Sequence, residues 1–290
     1  MDPITKALER AKQNQSVSGW VNPSQAGAVA LPQDLPSAVN TVELDAKLLH
    51  NNRLLSGDSL EDPVITDKYR LLRTKILQIM RANSWKSIGI TSPGAKAGKS
   101  VTSCNLALSI AREGNHQAVL VDADIRKPTI AEYMGIESEL ALPDYLLGRS
   151  SLPQVLVDIS NWSHLSVLCG APDGASGLTP EYLKSSRMSD IFASAMTNGY
   201  PTLYVVDLPP ALIGDDVLAV SMNLDCLLVV VDENSTTADD LKQTLELVGS
   251  RNIVGTVLNL SAEKPTNHGS YYQYYRAGAS EEAPEVPQNS

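Results

Sequence analysis

Phenylalanine is almost missing from this 290-residue sequence: there is one, beside three Trp, three Cys and four His. Cys104, Cys169 and Cys226 are odd in number, widely spaced and set among apolar residues. That pattern excludes a disulfide framework and a zinc spacing, and reads as buried thiols in a reducing compartment. His50, His116, His164 and His268 form no ligand cluster, and no Ser-His-Asp arrangement suggests itself. No apolar run approaches the roughly 18 residues of a membrane span, the best being the far shorter Cys226 to Val231. The first residues also lack the apolar core of a signal peptide. These absences lead us to expect a soluble, intracellular chain. Its 33 Asp and Glu against 23 Lys and Arg leave a net charge of −10. Between Thr129 and Ser250 the basic residues are Arg149, Lys184, Arg187 and Lys242 alone, too few for a face that grips nucleic-acid phosphates.

What is present is concentrated in Ser87 to Pro128, SIGITSPGAKAGKSVTSCNLALSIAREGNHQAVLVDADIRKP. Ile88, Gly89 and Ile90 suit a short strand, and Pro93 and Gly94 turn the chain into Gly98-Lys99-Ser100. From Val101 to Arg112, Leu106, Ala107 and Ile110 recur at a helical period. A strand, a loop of small residues, Gly-Lys-Ser and a helix make a phosphate cradle, because loop amides and the helix N-terminus favour an anion. Lys99 can reach the β- and γ-phosphates, and the Ser100 hydroxyl can ligate Mg²⁺. The candidate nucleotide-binding residues are therefore Gly94, Ala95, Lys96, Ala97, Gly98, Lys99, Ser100 and Val101, although Pro93 stands where the strict GxxxxGK[ST] pattern has its first Gly.

Two further apolar runs end in acids. Val119-Leu120-Val121 leads into Asp122-Ala123-Asp124, and Leu203-Tyr204-Val205-Val206 leads into Asp207-Leu208-Pro209-Pro210. In an open parallel sheet the ligand site lies at the carboxyl ends of the strands. Asp122, Asp124 and Asp207 are thus expected to converge on the cradle around one metal ion.

Along the rest of the chain, residues 1–13 read as a short amphipathic helix with Asp2 as its cap and Pro3 in its first position. Residues 14–62, rich in Ser, Pro, Asn and Gln, read as a flexible linker. A catalytic domain is expected over 63–262, opening with a helix capped by Thr66 that carries Asp67, Arg70 and Arg73 along one side. Beyond the second strand we expect helical segments from Thr129 to Gly148, a strand at Leu165–Leu168, and helices at Arg187–Asn198 and Asp215–Asn223. A strand at Leu227–Val231, a helix at Ala238–Val248 and a strand at Ile253–Leu258 complete it. Strands alternating with helices argue for an α/β fold with a doubly wound, mostly parallel sheet. Asn259 closes the last strand, where its amide could read a base edge or simply form a turn. Residues 263–290 read as a flexible tail in which Tyr271, Tyr272, Tyr274 and Tyr275 crowd four tyrosines into five positions. They suit either a sticky partner-binding tail or a set of phosphate acceptors.

Taken in order, these pieces resemble the bacterial tyrosine kinases of capsule and exopolysaccharide systems, the BY-kinases. These are P-loop enzymes related to the MinD/ParA group. TSPGAKAGKS resembles the family's Walker A, VLVDADIRKP its Walker A′ and YVVDLPP its Walker B. DKYRLLR is similar to its Glu-x-x-Arg-x-x-Arg self-association helix, with Asp67 in place of Glu. The resemblance implies that Lys99 holds the phosphates of ATP, that Ser100, Asp124 and Asp207 hold Mg²⁺, and that Asp122 activates the tyrosine hydroxyl. Arg126 would assist near the phosphates or the incoming tail. It also implies a ring-like oligomer built through Asp67, Arg70 and Arg73, phosphorylating Tyr271, Tyr272, Tyr274 and Tyr275 in trans. A separate membrane chain-length-determinant (co-polymerase) protein would activate the kinase and recruit it to the inner face of the membrane, and a cognate phosphotyrosine phosphatase would reverse it. Lys96 and Ala97 depart from the family, which usually carries Gly and an acidic or small residue there. Two other readings share the fold: a ParA/MinD-type ATPase, and a non-catalytic nucleotide-binding scaffold of the polysaccharide machinery.

Overall fold

A computed structural model describes residues 40–261 apart from 60, 172–178, 194–195, 198 and 250. The expected N-terminal helix and the tyrosine cluster lie outside the described residues.

Runs of Val, Ile and Leu bounded by turn residues become the central strands. β1 (Asn40–Val42), β2 (Ser87–Thr91), β3 (Gln117–Asp122), β4 (Leu156–Ile159), β5 (Leu165–Leu168), β6 (Met196–Thr197), β7 (Tyr200–Asp207), β8 (Cys226–Asp232) and β9 (Ile253–Asn259) form one sheet. Its order is β1-β4-β5-β3-β7-β2-β8-β9, with β6 paired to β7 as a short antiparallel flap. All other pairings are parallel except β4 with β5. The mostly parallel, doubly wound α/β architecture expected from the sequence is the one found. Every residue of β2 and β3 is buried, as a parallel strand covered on both faces requires.

Helices cover the two faces. On one lie α1 (Ala46–Asn51), α2 (Pro63–Ala82), α3 (Lys99–Glu113) and α4 (Ile130–Met134). Their Leu49, Ile76, Leu106 and Met134 pack on Ile88, Leu120, Val205 and Leu228. The opposite face takes α5 (Leu142–Leu146), α6 (Leu152–Val155), a 3-10 turn (Pro180–Lys184), α7 (Ser186–Ile191) and α8 (Asp216–Ser221). There Tyr145, Met188, Ile191 and Val217 pack on Val119, Val121, Tyr204 and Val206. Strand residues therefore alternate between the two cores, as the period of two dictates. A smaller cluster seats α9 (Ala238–Val248) on β8 through Leu241, Leu245 and Val229. A Cβ on Gly89 would lie 2.6–2.7 Å from the methyl carbons of Leu208, Leu224 and Leu227, so a side chain there would force these three to shift. Among the described residues no helix is long and apolar enough to cross a membrane, and Cys104, Cys169 and Cys226 are free and buried.

Three expectations need correction. The stretch 14–62, read as a linker, includes β1 and α1, so the described fold takes in residues 40–62 and does not start at residue 63. Sparse leucines do the work there: Leu44, Leu49, Leu54 and Leu55 are buried, and the Asp45 carboxylate caps α1 by accepting from the Lys47 and Leu48 amides. A polar composition hid these leucines, and a strand of three residues carries no readable period. Secondly, α2 is capped by Asp62, with Pro63 next, while the Thr66 hydroxyl donates to Glu61 and to the Asp62 carbonyl. Thirdly, the helix expected over Arg187–Asn198 spans Ser186–Ile191, and Met196–Thr197 pairs instead with Tyr200–Pro201. β4 went unanticipated because it continues directly from α6.

If the 40–62 segment belongs to the core, Leu49→Ala should cost about 2–5 kcal/mol, read as a lower urea midpoint. An unchanged midpoint would place that segment outside the cooperative unit.

Candidate active site

Because β7 lies between β2 and β3, the carboxyl ends of three strands stand side by side, with Asp122 and Asp207 as register partners. The chain leaves β2 through Ser92 to Gly98 and enters α3. Gly98 takes φ 87° at the N-cap, and a Cβ there would come within 2.1 Å of Asn259 Nδ2. Asn259 instead donates its amide to the Ala97 carbonyl at 2.9 Å. Of the two roles open to Asn259, reading a base edge or forming a turn, this bond uses one N–H donor of its amide to hold the loop. Thr91 Oγ1 donates to the Pro209 carbonyl at 2.7 Å, which ties the end of β2 to the segment after β7. The first amides of α3 have no partner within the helix, so the loop and the helix field together favour an anion.

Behind this cradle sits a compact ionic cluster. Lys99 is 8% exposed, with Nζ 2.9 Å from Asp124 Oδ2 and 3.3 Å from Asp207 Oδ2. Asp207 also accepts from Ser100 Oγ at 2.6 Å and from Ser103 Oγ at 2.9 Å. Burial alone would lower the Lys99 pKa; Asp207, Asp124 and Asp122 outweigh it and raise the ammonium above its ordinary value. Burial raises Asp207 although Lys99 and the two hydroxyls oppose it. Asp122 is pushed up to about 7, first by burial and then by the charge of Asp207. Its Oδ2 accepts from the Thr129 and Ile130 amides at 2.9 and 3.0 Å.

A cavity of about 430 Å³ opens over the cradle. Of the sequence-predicted residues, Ala95, Lys96, Gly98, Lys99, Ser100, Val101, Asp124 and Arg126 line it. Gly94 lines a neighbouring hollow, together with Ala95 and Ala97. Asp122 and Asp207 lie behind the wall, wholly buried. Arg126 reaches across to the carboxylate of Asp216, binding it through both Nε and Nη2. Asp216, Arg53, Lys127 and Tyr133 also line the cavity and were not singled out from the sequence. Asp216 follows a second aspartate at a helix start, where acids are ordinary, so nothing local marked it. Lys96 holds a left-handed φ of 66°, the conformation that suits the glycine it replaces.

The proposed self-association residues separate. Asp67 and Arg70 pair with each other at 2.8 Å on the exposed side of α2. Arg73 turns inward, with Nη1 donating to the Ser109 carbonyl at 2.9 Å and Nε 3.3 Å from Glu113. Period and spacing could not distinguish an arginine that snorkels from one that bonds the next helix.

These groups fit a magnesium nucleotide. The cradle supplies free amides and a lysine charge, and Ser100, Asp124 and Asp207 are the oxygens that would hold Mg²⁺. The expected convergence of Asp122, Asp124 and Asp207 around one metal ion is not found: the described residues contain no trio of His, Cys, Asp or Glu able to hold a metal, and Asp122 turns instead to the Thr129 and Ile130 amides.

Residues 85–288 match the family model described as ParA, NUBPL iron-transfer P-loop NTPase. The chain is 30% identical over 211 residues to the tyrosine-protein kinase YwqD of Bacillus subtilis, covering 72% of this chain and 86% of that protein. It is 28% identical to the tyrosine-protein kinase Etk of Escherichia coli, over 76% of this chain but 30% of that longer protein. Among solved structures, the kinase domain of Escherichia coli Etk shares the fold with TM-score 0.64 at 22% identity, over 80% of this chain and 92% of that one. MinD of Pyrococcus horikoshii, complexed with Mg-ADP, shares it with TM-score 0.50 at 18% identity, over 62% and 72%.

Two outcomes follow for the nucleotide-free protein. The folded state holds the Asp122 proton more tightly than the unfolded chain, so the stability from this group is full below roughly pH 4 and is lost as pH rises to about 7. Asp122→Asn should therefore gain melting temperature relative to the parent between pH 5 and pH 8; a constant difference would contradict the burial argument. Lys96→Gly should raise stability by up to about 1 kcal/mol through relief of the left-handed φ while weakening Mg²⁺-ATP binding measured by calorimetry. Loss of both together would show the lysine to be structural.

Proposed function

The chain belongs to the ParA family of P-loop NTPases and to its bacterial tyrosine kinases, and we propose that it transfers the γ-phosphoryl group of ATP to its own Tyr271, Tyr272, Tyr274 and Tyr275. The observation that carries this reading is Lys99, held between Asp124 and Asp207 at the mouth of a helix N-terminus.

Phosphoryl transfer asks a protein chiefly for positioning and charge neutralisation. The α3 amides and Lys99 supply positive charge where the phosphates must lie. Lys99 needs only to swing off its two carboxylates to meet them, which frees Asp124 and Asp207. Ser100, Asp124 and Asp207 would hold Mg²⁺, which would supply further neutralising charge for the phosphates. Asp122 takes the tyrosine proton in this scheme, and a carboxyl pushed up to about 7 is suited to a base working near neutrality. Its Oδ2 is engaged by Thr129 and Ile130, so the phenol reaches it only when that turn gives way. Arg126, fixed by Asp216, presents its remaining donors to the incoming phosphate.

Transfer in trans follows from the reading that exposed Asp67 and Arg70 contribute to a subunit contact. A membrane chain-length protein as activator and recruiter, a phosphatase as counterpart and a role in exopolysaccharide or capsule assembly complete the proposal. These rest on the family resemblance.

The test is mass spectrometry of the purified protein after incubation with Mg²⁺-ATP, with partner peptide added if the chain alone is silent. Phosphate on Tyr271 to Tyr275, falling by about 10²-fold or more in Lys99→Met, is the expected result. Tight nucleotide binding with unmodified tyrosines under both conditions would overturn the assignment.

A further inference from the structure

Four non-glycine residues among those described hold a left-handed backbone: Arg53, Ser84, Lys96 and Leu260. Three of them, Arg53, Lys96 and Leu260, line the same cavity over the phosphate loop. Backbone strain of this kind persists only where the surroundings enforce it. At Arg53 they do. Its amide donates to the His50 carbonyl at 2.9 Å, and its carbonyl accepts from Asn105 Nδ2 at 3.0 Å. The same Asn105, wholly buried on α3, accepts the Leu55 amide at 2.8 Å. Asn52 next to it donates to the Tyr133 carbonyl at 2.9 Å. Arg53 is thus clamped between α3 and α4, on the β3 side of the phosphate loop, with its side chain on the cavity wall.

The charges of the cavity do not cancel. Lys99 is matched by Asp124 and the buried Asp207, and Arg126 by Asp216. Arg53, Lys96 and Lys127 also line it, and none has a carboxylate within salt-bridge distance among the described residues. Three unmatched cations around one hollow, in a chain of net charge −10, form an anion site. Lys96 belongs to the phosphate loop itself. Arg53 and Lys127 lie on the other wall, beside Thr129, whose buried hydroxyl has no hydrogen-bond partner among the described residues. That wall has charge and a free hydroxyl beyond what the nucleotide phosphates at the α3 N-terminus require.

We propose that Arg53, with Lys127, binds the acceptor: it holds the anionic flank of the tyrosine segment while the phenol reaches the phosphate. The inference rests on the tyrosine-kinase reading. The complementary segment is in this chain, where Tyr271 to Tyr275 are followed by a single Arg276 and then, past four small residues, by Glu281, Glu282 and Glu285. Arg53 is accordingly a substrate-binding residue, and the 40–62 segment contributes directly to the site.

The experiment follows the full chain with Mg²⁺-ATP and a synthetic peptide of residues 268–290, or that peptide with the three glutamates replaced by glutamine. Arg53→Gly removes the charge and relieves the left-handed φ; Arg53→Lys keeps the charge. In Arg53→Gly, KM for the acidic peptide should rise by about tenfold, the preference for glutamate over glutamine should disappear, and ADP affinity should stay unchanged. Its melting temperature should not fall, and Arg53→Lys should restore most of the affinity. Weakened ADP binding with unchanged peptide KM would make Arg53 a nucleotide residue and overturn the proposal. So would an active parent whose Arg53 variants match it. A parent that cannot phosphorylate either peptide would instead remove the kinase reading, and this inference with it.

Discussion

The structure is arranged around one buried ammonium group. Lys99 could not be taken out of water unpaired, because an uncompensated buried charge costs several kcal/mol. Asp124 and Asp207 compensate it, and they can do so only because β7 lies between β2 and β3. The strand order therefore serves the charge pair: any other neighbour for β2 would leave the lysine without its second carboxylate. Ser100 and Ser103 then satisfy the remaining lone pairs of Asp207, and the result is a polar cluster inside an otherwise apolar sheet end. Such a cluster is stable when closed and is the wrong arrangement for chemistry. In the proposed function, phosphates arriving at the helix N-terminus would offer Lys99 a better partner, and the carboxylates it released would be left for an accompanying cation.

The second constraint is space. Asn259 fills the ground where a Gly98 side chain would stand and bonds the neighbouring carbonyl, so the last strand of the sheet fixes the shape of the phosphate loop. On the opposite flank Asn105 fixes Arg53 and Leu55. Two asparagines, one from an edge strand and one from the phosphate-loop helix, thus hold the two walls of one cavity. The cations that remain unmatched sit between them.

Much of this was legible in the sequence because the relevant signals are local. A Val-Leu-Val run ending in Asp122, a Leu-Tyr-Val-Val run ending in Asp207 and a Gly-Lys-Ser before a helical period each announce an element and a strand-end group. The doubly wound sheet follows from their alternation. The features that escaped are non-local. Leu49, Leu54 and Leu55 stand in a polar stretch and make sense only within the core they share with α3 and α4. Arg73 has the spacing of a surface residue, yet it bonds Ser109 of a neighbouring helix. Asp216 looks like any acid at a helix start until Arg126 is seen to cross the cavity to it. Arg53 had no sequence signal beyond the turn-forming asparagines before it, since its role depends on a backbone conformation that sequence does not display.

The central claim is that Lys99 changes partners, and a crystal structure with Mg²⁺ and a non-hydrolysable ATP analogue tests it most directly. The account predicts the β- and γ-phosphates at the N-terminus of α3, Lys99 Nζ moved from Asp124 onto a phosphate oxygen, and the cation beside Ser100 and Asp207. Phosphates bound elsewhere in the cavity, with Lys99 still between its two carboxylates, would contradict it.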